Sequence, residues 1–251
     1  MKSIQEIKSE FEKAPEDERS DLFKMYETDE RKGVQALIAR FKKIEEKAAQ
    51  ERLRMYEMFS YERQYRSEGL ICGIDEAGRG PLAGPVVAGA VVLPDNCDIL
   101  YLNDSKQLTP AKRESLYDII MEKAVAVGIG YCSAERIDEI NILQATYEAM
   151  REAVSKLSVK PQIFLNDAVT IPGIEGKQVP IIKGDAKSAS IAAASIVAKV
   201  TRDRLMEKYD AILPGYDFKS NKGYGSKSHI EAIKHLGPSP IHRHSFIGHF
   251  V

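Results

Sequence analysis

Hydrophobic and polar positions follow two different patterns along this chain. Between 34 and 58, in VQALIARFKKIEEKAAQERLRMYEM, Val34, Leu37, Ile38, Phe41, Ile44 and Ala48 recur at the three- and four-residue spacing of one helical face. Pro15 and Gly33 are the natural breaks, so residues 1–68 are expected to form two or three helices, one of them amphipathic. From Gly69 the apolar residues cluster in short runs. LICGID and GPVVAGAVVLP read as two strands joined by a glycine-rich turn. A helix is expected over 109–124, with Thr109 as N-cap and Pro110 at the first helical position. Then come a strand over 125–133, a helix over 140–157, strands over 162–167 and 179–185, and a long alanine- and serine-rich helix over 188–209. On that helix Ile191, Ala194, Ala198, Thr201 and Leu205 share one side, and its small residues would let it lie close to a sheet. Three early strands followed by alternating helices and strands predict an α/β fold, a mixed sheet flanked by helices.

Charge sharpens the division at 68/69. Residues 1–68 carry 31 charged side chains against 42 in the next 183 positions, which marks the first segment as a separate helical extension and 69–251 as the main domain. Net charge is −1, so bulk charge does not point to a polyanionic partner. From Lys199 onward, however, nine Lys or Arg face five Asp or Glu, and all five histidines fall there. Cys72, Cys97 and Cys132 lack clustered spacing, as expected of reduced thiols rather than a disulfide frame or zinc site. The polar start MKSIQEIKSEFEK does not resemble a signal peptide, and no apolar run reaches the ~18 residues of a membrane span. A soluble, cytoplasmic protein is expected.

Three expected strand ends carry acids: Asp75-Glu76, Asp167 and Asp185. Sites in open α/β sheets collect beyond strand carboxyl ends, so these scattered acids could converge. Gathered carboxylates repel, and must either protonate or hold cations. An oxygen-only set without His or Cys favours Mg²⁺ or Mn²⁺. The alternative is that each acid is merely a cap or turn residue. Adjacent strand residues also point to opposite faces, so Asp75 and Glu76 can share a pocket only if the strand ends or bends, which Ala77-Gly78 permits.

The motifs GIDEAGRGPLAGPVVAGAVVLP, NDSKQLTPAKRE, KGDAKSASIAAASIVAKVTRDR, NKGYGSKSH and GPSPIHRHSF, in that order, resemble bacterial ribonuclease HII over about 69–247. The resemblance implies the ribonuclease H-like fold, a five-stranded mixed sheet with helices on both sides and a helical C-terminal segment. It implies endonucleolytic cleavage of RNA in RNA–DNA hybrids and of single ribonucleotides in duplex DNA, on the 5′ side, leaving 3′-hydroxyl and 5′-phosphate ends. By motif the catalytic, metal-binding acids become Asp75, Glu76, Asp167 and Asp185, with two Mg²⁺ or Mn²⁺ ions between them and Asp75 as the bridge. Asp203 competes for the fourth place but lies far along the helix from the KGDAKS motif.

The same resemblance gives Gly78, Arg79 and Gly80 the task of detecting the 2′-hydroxyl that separates RNA from DNA, and Tyr224 that of packing on the following sugar. It makes Asn103, Ser105, Lys106, Lys187, Ser188, Ser226 and Arg243 candidate phosphate contacts. His229 and His242 fit motif positions and are catalytic or structural. The expected partners are RNA–DNA hybrid and ribonucleotide-containing duplex DNA, bound by a monomer away from membranes. The rival readings are a ribonuclease HIII-like nuclease, which prefers longer RNA runs, and a non-catalytic hybrid-binding module.

Overall fold

The computed structural model describes residues 1–15 and 18–249; the last two positions of the expected 69–251 domain lie outside it. The chain divides into two compact units, Met1–Tyr56 and Glu57–Val251. The boundary drawn from charge, at 68/69, lies further along the sequence.

In the first unit, α1 (Ile4–Lys13) opens on a capping box. The Ser3 hydroxyl accepts from the Glu6 amide, and the Glu6 carboxylate accepts from the Ser3 amide at 2.6 Å. α2 (Arg19–Tyr26) and α3 (Lys32–Met58) follow. Ile7, Phe11, Val34, Leu37, Ile38 and Phe41 bury together, with the Phe11 and Phe41 rings stacked 4.9 Å apart. Two details differ from the expected pattern. Gly33 lies within the first turn of α3, and the break falls at 27–31, where Asp29 accepts from both the amide and the guanidinium of Arg31. Ile44, assigned to the apolar stripe, is 43% exposed.

The second unit holds the sheet. After a short helix α4 (Ser60–Tyr65) come β1 (Ile71–Ala77), β2 (Val86–Val92), α5 (Pro110–Lys123), β3 (Ala126–Cys132), α6 (Ala134–Ser155), β4 (Ile163–Asp167), β5 (Lys177–Ile181) and α7 (Ala189–Ile212). The order across the sheet is β3-β2-β1-β4-β5. The β3-β2-β1 side is antiparallel, whereas β1, β4 and β5 run parallel. This is the expected mixed five-stranded sheet with helices on both faces. It is followed by three short helices, α8 (Phe218–Asn221), α9 (Lys227–Leu236) and α10 (His244–Ile247).

Two helix and strand limits differ from the pattern. α6 starts at Ala134, capped by the Ser133 hydroxyl, because a left-handed kink at Asn141 (φ 67°) joins an unanticipated first segment to the expected one. β5 ends at Ile181, because Lys183 turns left-handed (φ 57°), and Asp185 therefore sits in a 3-10 turn, Gly184–Ala186.

Glycine sets the spacing between layers. Cys72, Ile74, Val86, Ala88 and Ala90 face the α6 side with Ala145, Ala149 and Ala153. Residues of opposite phase on β1 and β2 face α7. A Cβ built on Gly73 would stand 2.1 Å from the carbonyl carbon of Ser190, and one on Gly89 would stand 2.5 Å from the Ala194 oxygen. The alanines of α7 and these glycines let the helix backbone lie directly on β1 and β2. Cys72, Cys97 and Cys132 are free thiols. Among the described residues, no helix is long and apolar enough to cross a membrane.

Gly73→Ala should therefore force α7 outward. Overpacking of this kind costs about 1–3 kcal/mol, which lowers Tm by roughly 3–10 °C in a unit of this size. Thermal unfolding of the variant checks it, and an unchanged Tm would show that the helix does not rest on β1.

Candidate active site

The parallel strands bring the acids level. β1 and β4 pair with Ile74 opposite Asn166, so Asp75 and Asp167 are the next residues on neighbouring strands, and Asp167 pairs with Ile181 of β5. Asp75 lies in phase with Gly73, on the α7 side, against the Ser195 hydroxyl. Glu76 follows within the same strand, its amide donating to Asp75 Oδ1 at 2.8 Å. The turn comes only after Ala77, at Gly78 with φ 94°. The Gly184 amide donates to Asp167 Oδ1 at 2.7 Å, which draws the Asp185 turn against the end of β4.

Electrostatics shows how these groups meet. Burial pushes the Asp75 carboxyl well above the usual carboxylate range, and the charges of Glu76 and Asp167 push it further. Glu76 is raised by burial and by Asp167, against the pull of Arg79, whose Nη1 lies 3.5 Å from Glu76 Oε1. Burial also raises Asp185, with help from Asp104 and Asp167. Asp167, which has the least distinctive sequence flank of the four, is thus the charge felt by the other three. Burial opposes the charge on Lys106, yet Asp104, Asp75, Asp185 and Asp167 outweigh it and hold the ammonium above its ordinary value. Asp203 lies elsewhere on α7, ion-paired with Lys199 at 2.7 Å.

The donor set fits a hard divalent cation: carboxylate oxygens, partly shut from water and repelling one another, with no thiolate or imidazole among them. Among the described residues, no three His, Cys, Asp or Glu side chains are drawn to metal-ligand spacing. The acids instead have separate partners: Asp167 takes the Gly184 amide and Asp75 the Glu76 amide, while Asp185 lies within electrostatic reach of Asp104.

Around this cluster the candidate substrate residues separate into exposed and buried groups. Lys106, Lys187 and Tyr224 are exposed, as are Arg79 and Gly80, and a Cβ on Gly80 would meet nothing within 4 Å. The Tyr224 ring is 43% exposed, with Lys199 Nζ and Arg202 Cζ each 5.8 Å from its centre. Asn103 and Ser226 are half-buried in local turns. Asn103 accepts from the Asp104 amide, and Ser226 caps α9.

Three candidates are corrected by burial. Arg243 is fully buried, and its guanidinium donates to the carbonyls of Gly78, Arg79 and Gly84, so it clamps the glycine turn from beneath instead of meeting phosphate. Ser188 is fully buried, and its one hydroxyl proton is donated to Glu62 at 2.6 Å. Ser105 is buried against the Ser195 hydroxyl at 3.0 Å.

Four further residues escaped the sequence reading. Arg202, fully buried, donates to the carbonyls of Ala83, Pro85 and Lys222, wiring the turn to the Tyr224 loop. Its position four residues from both Ala198 and Met206, each fully buried, is the sequence signal for a core-facing arginine. Asp104 and Ser195 touch the acids, and Glu62 reaches α7 from α4.

His229 and His242 form a buried pair with Nε2 atoms 3.0 Å apart. The Ser239 amide donates to His242 Nδ1 at 2.8 Å, so the His242 proton sits on Nε2 and is given to His229. His229 must then carry its proton on Nδ1, which donates to the Tyr224 carbonyl at 2.8 Å. All four ring nitrogens are engaged, and the pair is structural.

Burial lowers both imidazole pKa values from 6.5, that of His242 to about 4. Groups depressed in this way contribute stability that is complete above the unfolded value and is lost as pH falls through the folded one. Urea unfolding between pH 7.5 and 4 should show a midpoint that declines with acid, and a His229→Asn/His242→Asn variant should lose part of that slope. An identical slope in the variant would contradict the neutral pair.

The sequence model described as "Ribonuclease HII" matches residues 72–249, and that of the "Ribonuclease HII N-terminal domain" matches 3–66. A ribonuclease HII from Lachnoclostridium phytofermentans is 62% identical over 244 residues, covering 97% of this chain and 96% of its own. Among solved structures, the ribonuclease H2 of Pyrococcus horikoshii OT3 is similar at a TM-score of 0.58 and 32% identity, covering 70% of this chain and 93% of its own. The structure of Bst-RNase HIII in complex with Mn²⁺, at 18% identity and a TM-score of 0.52 over 66% of this chain and 61% of its own, shares the fold. With the acids at the ends of β1 and β4 and just beyond β5, and with matches across nearly its whole length, the chain belongs to the ribonuclease HII family.

Proposed function

We propose that this protein is an endonuclease that hydrolyses the RNA of RNA–DNA hybrids and cuts duplex DNA on the 5′ side of an embedded ribonucleotide. The observation that carries this reading is the position of Asp167, within electrostatic reach of Asp75, Glu76 and Asp185 beside a glycine turn that leaves open space at Gly80. Asp75, Glu76, Asp167 and Asp185 would hold two Mg²⁺ or Mn²⁺ ions; an RNase HIII of the same fold is described with Mn²⁺. Bound there, such ions supply the positive charge that acidifies a water and stabilises a leaving oxygen.

The chain's own groups do the rest. The raised pKa values of Asp75, Glu76 and Asp185 mean that these three favour gaining positive charge, whether as protons or as ions. Exposed Lys106, Lys187 and Arg79 meet the scissile phosphate and its neighbours. The backbone of Gly78-Arg79-Gly80 reads the 2′-hydroxyl, and its path is set before substrate arrives because Arg243 ties down the carbonyls of Gly78 and Arg79. The exposed Tyr224 face receives the next sugar, and its loop is held by Arg202 and His229. Since the 2′-hydroxyl is read rather than used as nucleophile, products carry 3′-hydroxyl and 5′-phosphate ends.

A DNA duplex with one ribonucleotide should be cut once, 5′ to it, on addition of Mg²⁺ or Mn²⁺. Asp75→Asn should lower the rate by more than about a hundredfold and leave hybrid binding largely intact. A 2′,3′-cyclic phosphate among the products would reject the mechanism. Binding without cleavage would make the protein a hybrid-binding module, and cleavage confined to long RNA runs would move it toward ribonuclease HIII-like specificity.

A further inference from the structure

The loop carrying Asp185 is closed by a series of hydrogen bonds that begins outside the sheet. At its inner end the Gly184 amide donates to Asp167 Oδ1 at 2.7 Å. The Gly184 carbonyl accepts from the amides of Lys187 and Ser188 at 2.9 and 2.8 Å, so Asp185 and Ala186 sit inside a small ring of chain. Ser188 is where that ring meets α7. Its hydroxyl accepts from the Ile191 amide at 3.2 Å and spends its proton on Glu62 Oε1 at 2.6 Å. The same Glu62 oxygen accepts from the Ser190 amide at 2.8 Å. A continuous path therefore runs from Glu62 through Ser188 and Gly184 to Asp167, enclosing Asp185.

Glu62 is an unusual group for this place. It stands on α4, within the 3–66 stretch of the N-terminal family match, yet belongs by contact to the unit that begins at Glu57. Its second oxygen, Oε2, is shut from solvent and has no hydrogen-bond partner. Burying a carboxylate with a spare oxygen is costly, and the compensation is the first turn of a 24-residue helix, whose free amides and positive dipole end favour an acceptor there.

We propose that Glu62 is a positioning residue for the catalytic loop, fixing Ser188 and through it the ring that presents Asp185 and Asp167. The inference rests on the reading of those two acids as ion holders. It gives α4 a task separate from any substrate contact made by the helices before it: a truncation at the end of the N-terminal match removes a support of the active site as well as an extension.

The test uses full-length protein. Glu62→Ala should lower kcat on single-ribonucleotide DNA by about 10- to 100-fold, the usual effect of removing a group that orients metal ligands, with KM little changed. Independently of activity, the Mg²⁺ or Mn²⁺ concentration that gives half-maximal thermal stabilisation should rise by a similar factor. Glu62→Gln keeps an oxygen for Ser188 and Ser190 and should restore most of both properties. Ser188→Ala cuts the same link from the other side and serves should the Glu62→Ala chain fold poorly. A lower Tm with kcat and ion response unchanged in both Glu62→Ala and Ser188→Ala would overturn the proposal. A wild-type protein that binds ions but cuts nothing would overturn the functional reading instead, and the ion titration would still decide the role of Glu62.

Discussion

The candidate site depends on how closely α7 lies on the sheet. At Gly73 the backbone of Ser190 occupies the space of a side chain, and at Gly89 the Ala194 carbonyl does the same. Two consequences follow from this one contact. Asp75, two residues beyond Gly73 and on the same face, is pressed against Ser195 and stripped of water, which is why burial leads the causes of its raised pKa. The start of α7 is also held beside β1, and with it the 3-10 turn that carries Asp185. A longer side chain at Gly73 would lift the helix, admit water to Asp75 and carry Asp185 away. The packing of small residues is therefore an electrostatic device as much as a hydrophobic one.

The acids repel, and the fold counters that repulsion without removing it. Arg79 lies beside Glu76, and Lys106 feels Asp75, Asp167, Asp185 and Asp104 together. A single flexible ammonium on an exposed side chain screens but does not bridge, since it is a hydrated point charge with three donors. The cluster keeps its preference for added positive charge. That preference suits a centre built to capture ions, and a sheet that only needed packing would have no reason to retain it.

Much of this was legible in the chain. The acids Asp75, Asp167 and Asp185 stand out because an acid after an apolar run is expensive unless it has work to do; the parallel register then sets Asp75 beside Asp167, and the 3-10 turn after β5 brings in Asp185. The elements set by local signals were also legible: Thr109-Pro110 starts α5, and small residues marked α7 as a helix for close packing. What escaped detection depends on contacts between distant segments. Arg243 reads as a phosphate-binding arginine in GPSPIHRHSF, and only the fold shows that Gly78, Arg79 and Gly84 turn their carbonyls onto it. Ser188 reads as a phosphate contact at the start of the long helix, yet its hydroxyl is spent on Glu62 of α4, more than a hundred residues away in sequence. Gly33 reads as a break, but the Asp29–Arg31 turn ends the preceding segment first.

The buried arginines and histidines suggest a division of labour at the edge of the site. Arg202 and Arg243 spend their donors on backbone carbonyls, Arg202 in the Gly78–Pro85 turn and at Lys222 and Arg243 within that turn alone, and both are held below their usual pKa chiefly by burial. A guanidinium is costly to bury, but its fork of five donors can satisfy three carbonyls at once, as each of these arginines does. Together with the His229–His242 relay they join the Gly78–Pro85 turn, the Tyr224 loop and the segment around Ser239 into one hydrogen-bonded body. Lys106, Lys187 and Arg79, by contrast, stand exposed at the edge of the site. In the proposed function, long-range attraction for a polyanion would fall to these surface charges, while the glycine turn proposed to read the 2′-hydroxyl is carried on buried, hydrogen-bonded supports. In that reading the rigidity serves discrimination, because a turn free to move would accept a deoxyribose as readily as a ribose.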